Sequence, residues 1–332
     1  MTRFSLLDLV PVIEGGTVAE ALASAADLAR EAEAQGYARY WVAEHHGMEG
    51  IASAATAVVI GHVAAATTSI RVGAGGIMLP NHAPLQIAEQ FGTLEALFPG
   101  RIDLGLGRAP GSDQRVARAI RRTLDSDPNA FPRDVLELQS YFADDGQTGI
   151  RATPGAGAKV PLWILGSSLF GAQLAAMLGL PYAFASHFAP DALDQALEVY
   201  RRDFRPSAQL AAPYAMAGFN VFAADTDEEA EFLASSQQQS FVALRTGNPR
   251  QLPPPVRGYR DSLGAQGRSI LDHVLQCSAV GSPATVARGL AAFVKRTGVD
   301  EVMIASAIYD HEARKRSIAI AAQAMSSLAL AA

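Results

Sequence analysis

Cysteine is almost missing. Cys277 is the only one in 332 residues, so no intrachain disulfide can form, and this fits a reducing compartment. Charge is sparse too: 18% of residues are charged against 49% hydrophobic, and a net charge of −6 comes with no Lys/Arg-rich run. The electrostatic footprint of a nucleic-acid binder is therefore absent, and so is the composition of a disordered or fibrous chain. The N-terminal MTRFSLLDLVPVIEGG lacks the pattern of a secretory signal, because acidic residues and proline interrupt its apolar run and no small-residue cleavage site follows. The stretch IASAATAVVIGHVAAATT has the length of a membrane span, but it is rich in alanine and threonine and holds His62, which favours a buried helix. The expectation is a soluble, cytoplasmic protein whose partners are neither nucleic acid nor membrane.

What is present is alternation. FSLLDLVPV reads as a first strand, and Val18, Leu22, Ala25, Ala29 and Ala32 then recur at helical spacing until Gly36. YARYWVA is the second strand, with a helix over 53–67, and IRVGAGGIML is the third, with a helix from Pro84 to the Pro99–Gly100 turn. RIDLGLG, PLWILG, PYAFAS, YAMAGFNVFAA and DEVMIASA supply strands four to eight. Eight strands separated by helical crossovers predict a parallel sheet closed into a (β/α)8 TIM barrel, an α/β fold forming one domain over 1–332. Two insertions interrupt the rhythm. Residues 112–158 contain PGAGAK and read as a mobile loop; residues 225–299, after strand seven, hold helices at 226–245 and from Ala284 and read as a lid.

In such barrels the site lies at the carboxyl ends of the strands. Those ends carry Glu44, His45 and His46, then Asn81 and His82, Arg108, Ser167 and Ser168, Ser186 and His187, and finally Tyr309, Asp310 and His311. Five of the seven histidines fall there. YWVAEHH has three readings: a solvated loop start, a metal site, or a site for acid/base chemistry. Neighbouring strand residues point to opposite faces, so His45 and His46 cannot grip one ion without a bend, and no HxH or HExxH spacing occurs; no metal is expected. A histidine with a pKa near 6.5 suits acid/base work at neutral pH.

GLGRAPG resembles a dinucleotide fingerprint, but its glycines at 105, 107 and 111 have the wrong spacing and Pro110 sits where the helix should open. It does bring Arg108 to a glycine-rich strand end. In WILGSSLFGAQLAAML a strand ends at Gly166, two hydroxyls follow and a helix begins. Ser167 and Ser168 either cap that helix or join its free amides in a phosphate cradle, and Arg108 on the adjacent strand favours phosphate. Gly73, Gly75 and Gly76 lie inside a strand, where glycine often marks a bulge or a flat ligand pressed on the backbone. A phosphate pocket beside a bare wall suits FMN.

These motifs resemble the bacterial-luciferase-like flavin monooxygenases. The likeness is carried by YWVAEHH, GAGGIMLPNHAPLQIAEQFGTLEALFPGRIDLGLGRAPGSDQ, LGSS, ASHFAP and GVDEVMIASAIYDHEARKRS, nearly the whole chain. The resemblance implies a (β/α)8 barrel, usually a homodimer, that receives reduced FMN from a separate flavin reductase. It also implies a flavin 4a-hydroperoxide, formed with molecular oxygen, that oxygenates a small organic substrate. His45 and Glu44 would be the catalytic residues, with His45 as the acid/base. Gly75, Gly76, Arg108, Gly166, Ser167 and Ser168 would hold the cofactor, with a cis peptide at Gly75–Gly76 under the flavin ring. His46, His82 and His187 would face the substrate. Luciferase has a reactive cysteine on strand four where this chain has Gly107, so its aldehyde substrate and light emission are not implied. Two alternatives stay open: a deazaflavin-dependent hydride-transfer enzyme of the same superfamily, and a flavin-binding protein without catalysis.

Overall fold

The computed structural model describes residues 2–108, 114–120, 130–144, 146 and 149–331. Pro110 and Gly111 of GLGRAPG, and parts of the 112–158 insertion, lie outside the described residues. Strands such as RYWV and AMAGFNVFA are buried along their whole length, the pattern of a parallel sheet covered on both faces. They form β1 (Arg3–Asp8), β2 (Arg39–Val42), β3 (Arg71–Met78), β4 (Ile102–Gly107), β5 (Leu162–Gly166), β6 (Tyr182–Phe184), β7 (Ala215–Ala223), β8 (Ser278–Gly281) and β9 (Glu301–Ala305). Every pairing between strands is parallel. β1 to β7 and β9 close into an eight-stranded ring, with β6 paired to β7 and β9 lying between β7 and β1.

The helices of the outer layer are α1 (Val18–Ala34), α2 (Thr56–Ala66), α3 (Pro84–Leu97), α4 (Gln114–Ile120), α5 (Ala130–Ala143), α6 (Leu169–Leu178), α7 (Leu193–Asp203), α8 (Asp227–Arg245), α9 (Tyr259–Ser262), α10 (Ala265–Val274), α11 (Pro283–Thr297) and α12 (His311–Ala331). α1 starts with a capping box between Thr17 and Glu20 and buries Ala21, Ala25, Leu28, Ala29 and Ala32, the spacing of one helical face. α12 is fastened to the barrel by Arg314, which donates to Asp8 at 2.7 Å and to the Ser306 carbonyl. The Tyr40 hydroxyl completes this buried group at Asp8. Among the described residues no helix is long and apolar enough to cross a membrane.

The barrel matches the expected architecture, with four corrections. The first strand stops at Asp8 rather than running to Val12: Val10 takes a left-handed φ of 52°, and its amide turns back to the Asp8 carboxylate at 2.9 Å. The 225–299 segment contains a strand not expected from sequence, β8, which pairs along Asn220–Ala223 at the far end of β7. Part of that segment therefore extends the sheet beside the ring, along the far end of β7. The PGAGAK stretch is not a loose loop. A Cβ built on Gly92 of α3 would lie 2.3 Å from the Gly155 Cα, and one on Gly155 would lie 2.5 Å from the Ala88 carbonyl oxygen. Glycine there permits close packing. Finally, α5 buries Phe131, Val135, Leu138, Tyr141 and Phe142 as an ordinary crossover helix.

Inside the ring the side chains are layered. At the amino end Arg39 reaches Asp103 at 2.7 Å and Glu301 at 3.0 Å, and Arg71 reaches Asp103 at 2.7 Å. The Tyr214 and Ser5 hydroxyls donate to Glu301, and the Trp41 indole donates to Asp103 at 3.2 Å. Trp41 and Trp163 form the next layer, edge to face at 5.1 Å, among Leu7, Met216 and Met303. Above them, the strand register turns mostly small residues inward: Ala43, Gly75, Gly105, Ala183, Gly218 and Ala305. The floor is filled, and the upper lumen is lined largely by these small residues together with Leu165.

Candidate active site

The carboxyl end of β2 distributes its three ionisable residues by parity. Glu44 and His46 turn one way. Glu44 is 1% exposed and accepts His46 Nε2 at 2.7 Å, His82 Nε2 at 2.9 Å and the Met78 amide at 2.9 Å. Burial works to raise its pKa, but the bonds from His82, His46 and Met78 outweigh it and hold the carboxyl below its ordinary value. His46 and His82, expected on the substrate side, are thus clasped to one buried carboxylate.

His45 turns the other way, toward the lumen. Its Nδ1 is buried without a hydrogen bond among the described residues. Burial lowers its pKa, against the pull of the Ala43 carbonyl and the Glu44 charge. At neutral pH it is an uncharged imidazole, able to accept a proton. His187, after β6, packs on β7 so closely that a Cβ on Gly218 would lie 2.0 Å from its Nδ1. Its pKa is pushed down to about 4, first by burial and then by His45.

At β3 the Gly75–Gly76 peptide is cis, and the register with β4 shifts between Gly75 and Ile77. A Cβ on Gly75 would meet Trp41 at 2.9 Å, and one on Gly76 the Gly105 carbonyl at 2.7 Å. The glycines are thus required by protein neighbours, and the register shift agrees with the bulge reading of this stretch. The peptide they share still forms part of the bare upper wall.

On the β4–β5 side the structure joins two segments that sequence reasoning placed together. The Arg108 guanidinium lies 4.2 Å from the centroid of Phe170, in the first turn of α6. Ser168 is the N-cap residue of α6 in extended conformation, yet its side chain makes no capping bond, so the capping reading of this serine does not hold. Ser167 and Ser168 are exposed and Gly166 half-buried, leaving the first amides of α6 open beside a guanidinium.

The last rim segment does not join. His311 Nε2 meets Asp27 of α1 at 2.9 Å, beside Lys315, on the outside of the barrel. Tyr309 donates to the Glu14 carbonyl at 2.8 Å. Sequence reasoning missed Gly218, Asn220 and Arg245. Asn220 Nδ2 bonds the His187 carbonyl at 2.8 Å, the Ser186 hydroxyl bonds the Gly218 carbonyl at 2.6 Å, and Arg245, at the end of α8, bonds the Phe188 carbonyl at 3.0 Å with its guanidinium 4.7 Å from that ring. Only the length of the post-β7 segment hinted at such a reach.

A parallel barrel with its polar side chains gathered at one rim defines the class. Residues 2–301 match the family model described as luciferase-like monooxygenase, and the chain belongs to that family. A luciferase-like monooxygenase of Escherichia coli (strain K12) is 55% identical over 319 residues, covering 96% of this chain and 95% of that one. The N-acetyl-S-alkylcysteine monooxygenase of Bacillus subtilis (strain 168) is 37% identical over 254 residues, 74% of this chain and 75% of that one. Among solved structures, apo-MsnO8 superposes with a TM-score of 0.87 at 33% identity, covering 98% of this chain and 99% of that one. Two more distant structures share the fold. The oxygenating constituent of 3,6-diketocamphane monooxygenase from Pseudomonas putida in complex with FMN has a TM-score of 0.72 at 18% identity, covering 97% of both chains. An F420-dependent secondary alcohol dehydrogenase has a TM-score of 0.70 at 15% identity, covering 97% of this chain and 98% of that one.

Proposed function

We propose that the protein is a monooxygenase that uses reduced FMN, delivered by a separate flavin reductase, and molecular oxygen to oxygenate a small organic substrate. The observation that carries the reading is the meeting of Arg108 with the first turn of α6, where Ser167 and Ser168 are exposed and Ser168 makes no capping bond. A guanidinium, open helix amides and uncommitted hydroxyls are the donor set that a phosphate monoester takes. The residues present therefore fit a phosphorylated flavin: Arg108, Gly166, Ser167 and Ser168 would hold its tail, and the Gly75–Gly76 wall would take its ring.

When bound, reduced FMN would supply the oxygen chemistry. The chain's own groups orient it, exclude water and handle a proton. His45, uncharged and turned to the lumen, accepts that proton. Glu44 stays ionised and holds His46, His82 and the chain after β3 in place, a positioning role and not that of an acid. Residues 248–256 would act as the cover. Leu252 exchanges backbone bonds with Val12 and Glu14, and Pro254 and Val256 are tied to Gln239 and Ser235 of α8. The reading also takes the protein to be a cytoplasmic homodimer.

Hydride transfer with a deazaflavin uses the same barrel and the same phosphate end; the monooxygenase names of the more similar relatives favour FMN. Two measurements test the proposal. In a titration of flavin fluorescence, Arg108→Ala should weaken FMN binding about tenfold or more, the effect of losing a charged hydrogen bond, and Ser168→Ala less. Unchanged affinity in both variants removes the tail site. Oxygen uptake with reduced FMN, and none with reduced deazaflavin, is the expected outcome of reconstitution; the reverse selects the hydride-transfer reading.

A further inference from the structure

Beyond its bulge, β3 resumes the pairing with β4. Gly75 pairs with Gly105, Ile77 with Leu106 and Met78 with Gly107. Register partners on neighbouring strands share a face, and Gly107 alternates with Gly105 on the lumen side. Met78 therefore turns into the lumen, one layer nearer the rim than the cis peptide and beside the residue that precedes Arg108. The contact agrees. A Cβ on Gly107 would lie 3.1 Å from Met78 Sδ and 3.9 Å from Cε, the terminal methyl. The thioether fills the space that a side chain at 107 would take.

The backbone of this residue is pinned, because the Met78 amide donates to Glu44 Oε2 at 2.9 Å. Its side chain is not. Met78 is half-buried, and among the described residues it joins none of the apolar clusters that make the core. The other sulfurs differ. Met216 and Met303, in the layer of Trp41 and Trp163, are 1% and 4% exposed, and Met325 and Cys277 are buried as well. Met177 is 57% exposed, but it lies on α6 in the outer layer. Met48 is half-buried in the loop after β2. Met78 combines a place on the lumen wall with an open surface.

We propose that Met78 is a self-oxidation site: when oxygen is activated in the lumen with no organic substrate to receive it, the Met78 thioether takes the oxygen and becomes the sulfoxide. The source of the oxygen rests on the function proposed above; the place of the sulfur does not. A thioether is soft, polarisable and readily oxidised. The oxidant is a hydroperoxide, the class of species expected from reduced flavin and oxygen. Sulfur gives a lone pair to one peroxide oxygen, and the O–O bond breaks. The other oxygen leaves with the bonding pair and takes the proton that the transferred hydroxyl gives up. Sulfur loses two electrons and the peroxide gains two. An apolar side chain of the wall thereby becomes polar, a change that sulfoxide reductases can reverse.

The test supplies the full chain with reduced FMN and oxygen, without organic substrate, and reads the methionines by peptide mass spectrometry. Catalase and superoxide dismutase remove oxidants that escape into solution. Met78 should gain one oxygen before Met177 and Met48, and methionine sulfoxide reductase should take it off again. With dilute hydrogen peroxide alone the order should follow exposure, Met177 first. Arg108→Ala, which weakens FMN binding, should lower the Met78 yield in the flavin arm and leave the peroxide order unchanged. If Met177 or Met48 leads in the flavin arm while the fluorescence titration shows FMN bound, Met78 does not meet the oxidant and the inference falls. If Met78 leads with hydrogen peroxide alone, its oxidation owes nothing to bound flavin, and the self-oxidation falls too. A titration that shows no FMN bound overturns the function proposed above, and this inference with it.

Discussion

At Glu44 two opposed effects meet. Burial in a low-dielectric wall favours the protonated acid, while two imidazoles and a main-chain amide favour the carboxylate, and the bonds prevail. Replacing Glu44 by Gln keeps the shape but removes the charge that three donors share. It should cost about 1–3 kcal/mol at neutral pH. The sign of the pH dependence follows from the lowered pKa. Such a group contributes stability above its unfolded value and loses it as the pH falls through the folded one. Urea denaturation should therefore show the full gap between wild type and Glu44→Gln near pH 7, and a narrowing gap well below the ordinary glutamate value of 4.5. An equal gap at both pH values contradicts the account.

At the scale of elements, α3 and the turn after α5 depend on two glycines that touch. Gly92→Ala puts a methyl group within 2.3 Å of the Gly155 Cα, against backbone that cannot rotate away. Overpacking of this kind costs about 1–3 kcal/mol and should lower Tm; an unchanged melting curve argues against the contact. The same turn shows where sequence reading ends. Barrel strands were legible because both faces are buried and the apolar runs are unbroken, and α1 announced itself through Thr17, Glu20 and Gly36. PGAGAK misled because glycine has one composition and two uses, freedom and closeness, and only the neighbour distinguishes them. β8 escaped because SAVG is four residues long inside a helical segment. His311 sat at the expected strand end, but its partner Asp27 lies 284 residues away in the chain. The Arg108–Phe170 meeting was foreseen in outline because β4 and β5 are neighbours. The Gly218 cradle for His187 required side-chain positions on strands that sequence order alone does not align.

For the whole molecule, closure falls to the chain's last strand. β9 pairs residues 301–305 with Arg3–Leu7 on one side and Met216–Asn220 on the other. A chain ending at Gly298 would leave β1 and β7 with open edges and Arg39 without Glu301. Open edges invite pairing between chains, and removing one partner of a buried ion pair is strongly destabilising. The shortened chain should lose its near-ultraviolet circular dichroism and its cooperative thermal transition, with aggregation read by light scattering. A sharp native-like transition would show that the ring forms without its final stave. The plugged floor bears on traffic. With Arg39, Asp103 and Glu301 below and the indoles of Trp41 and Trp163 above them, the described residues close the amino end of the ring. A molecule held in the lumen would have to come and go past the carboxyl-end rim, so of two such guests the deeper one would have to arrive first.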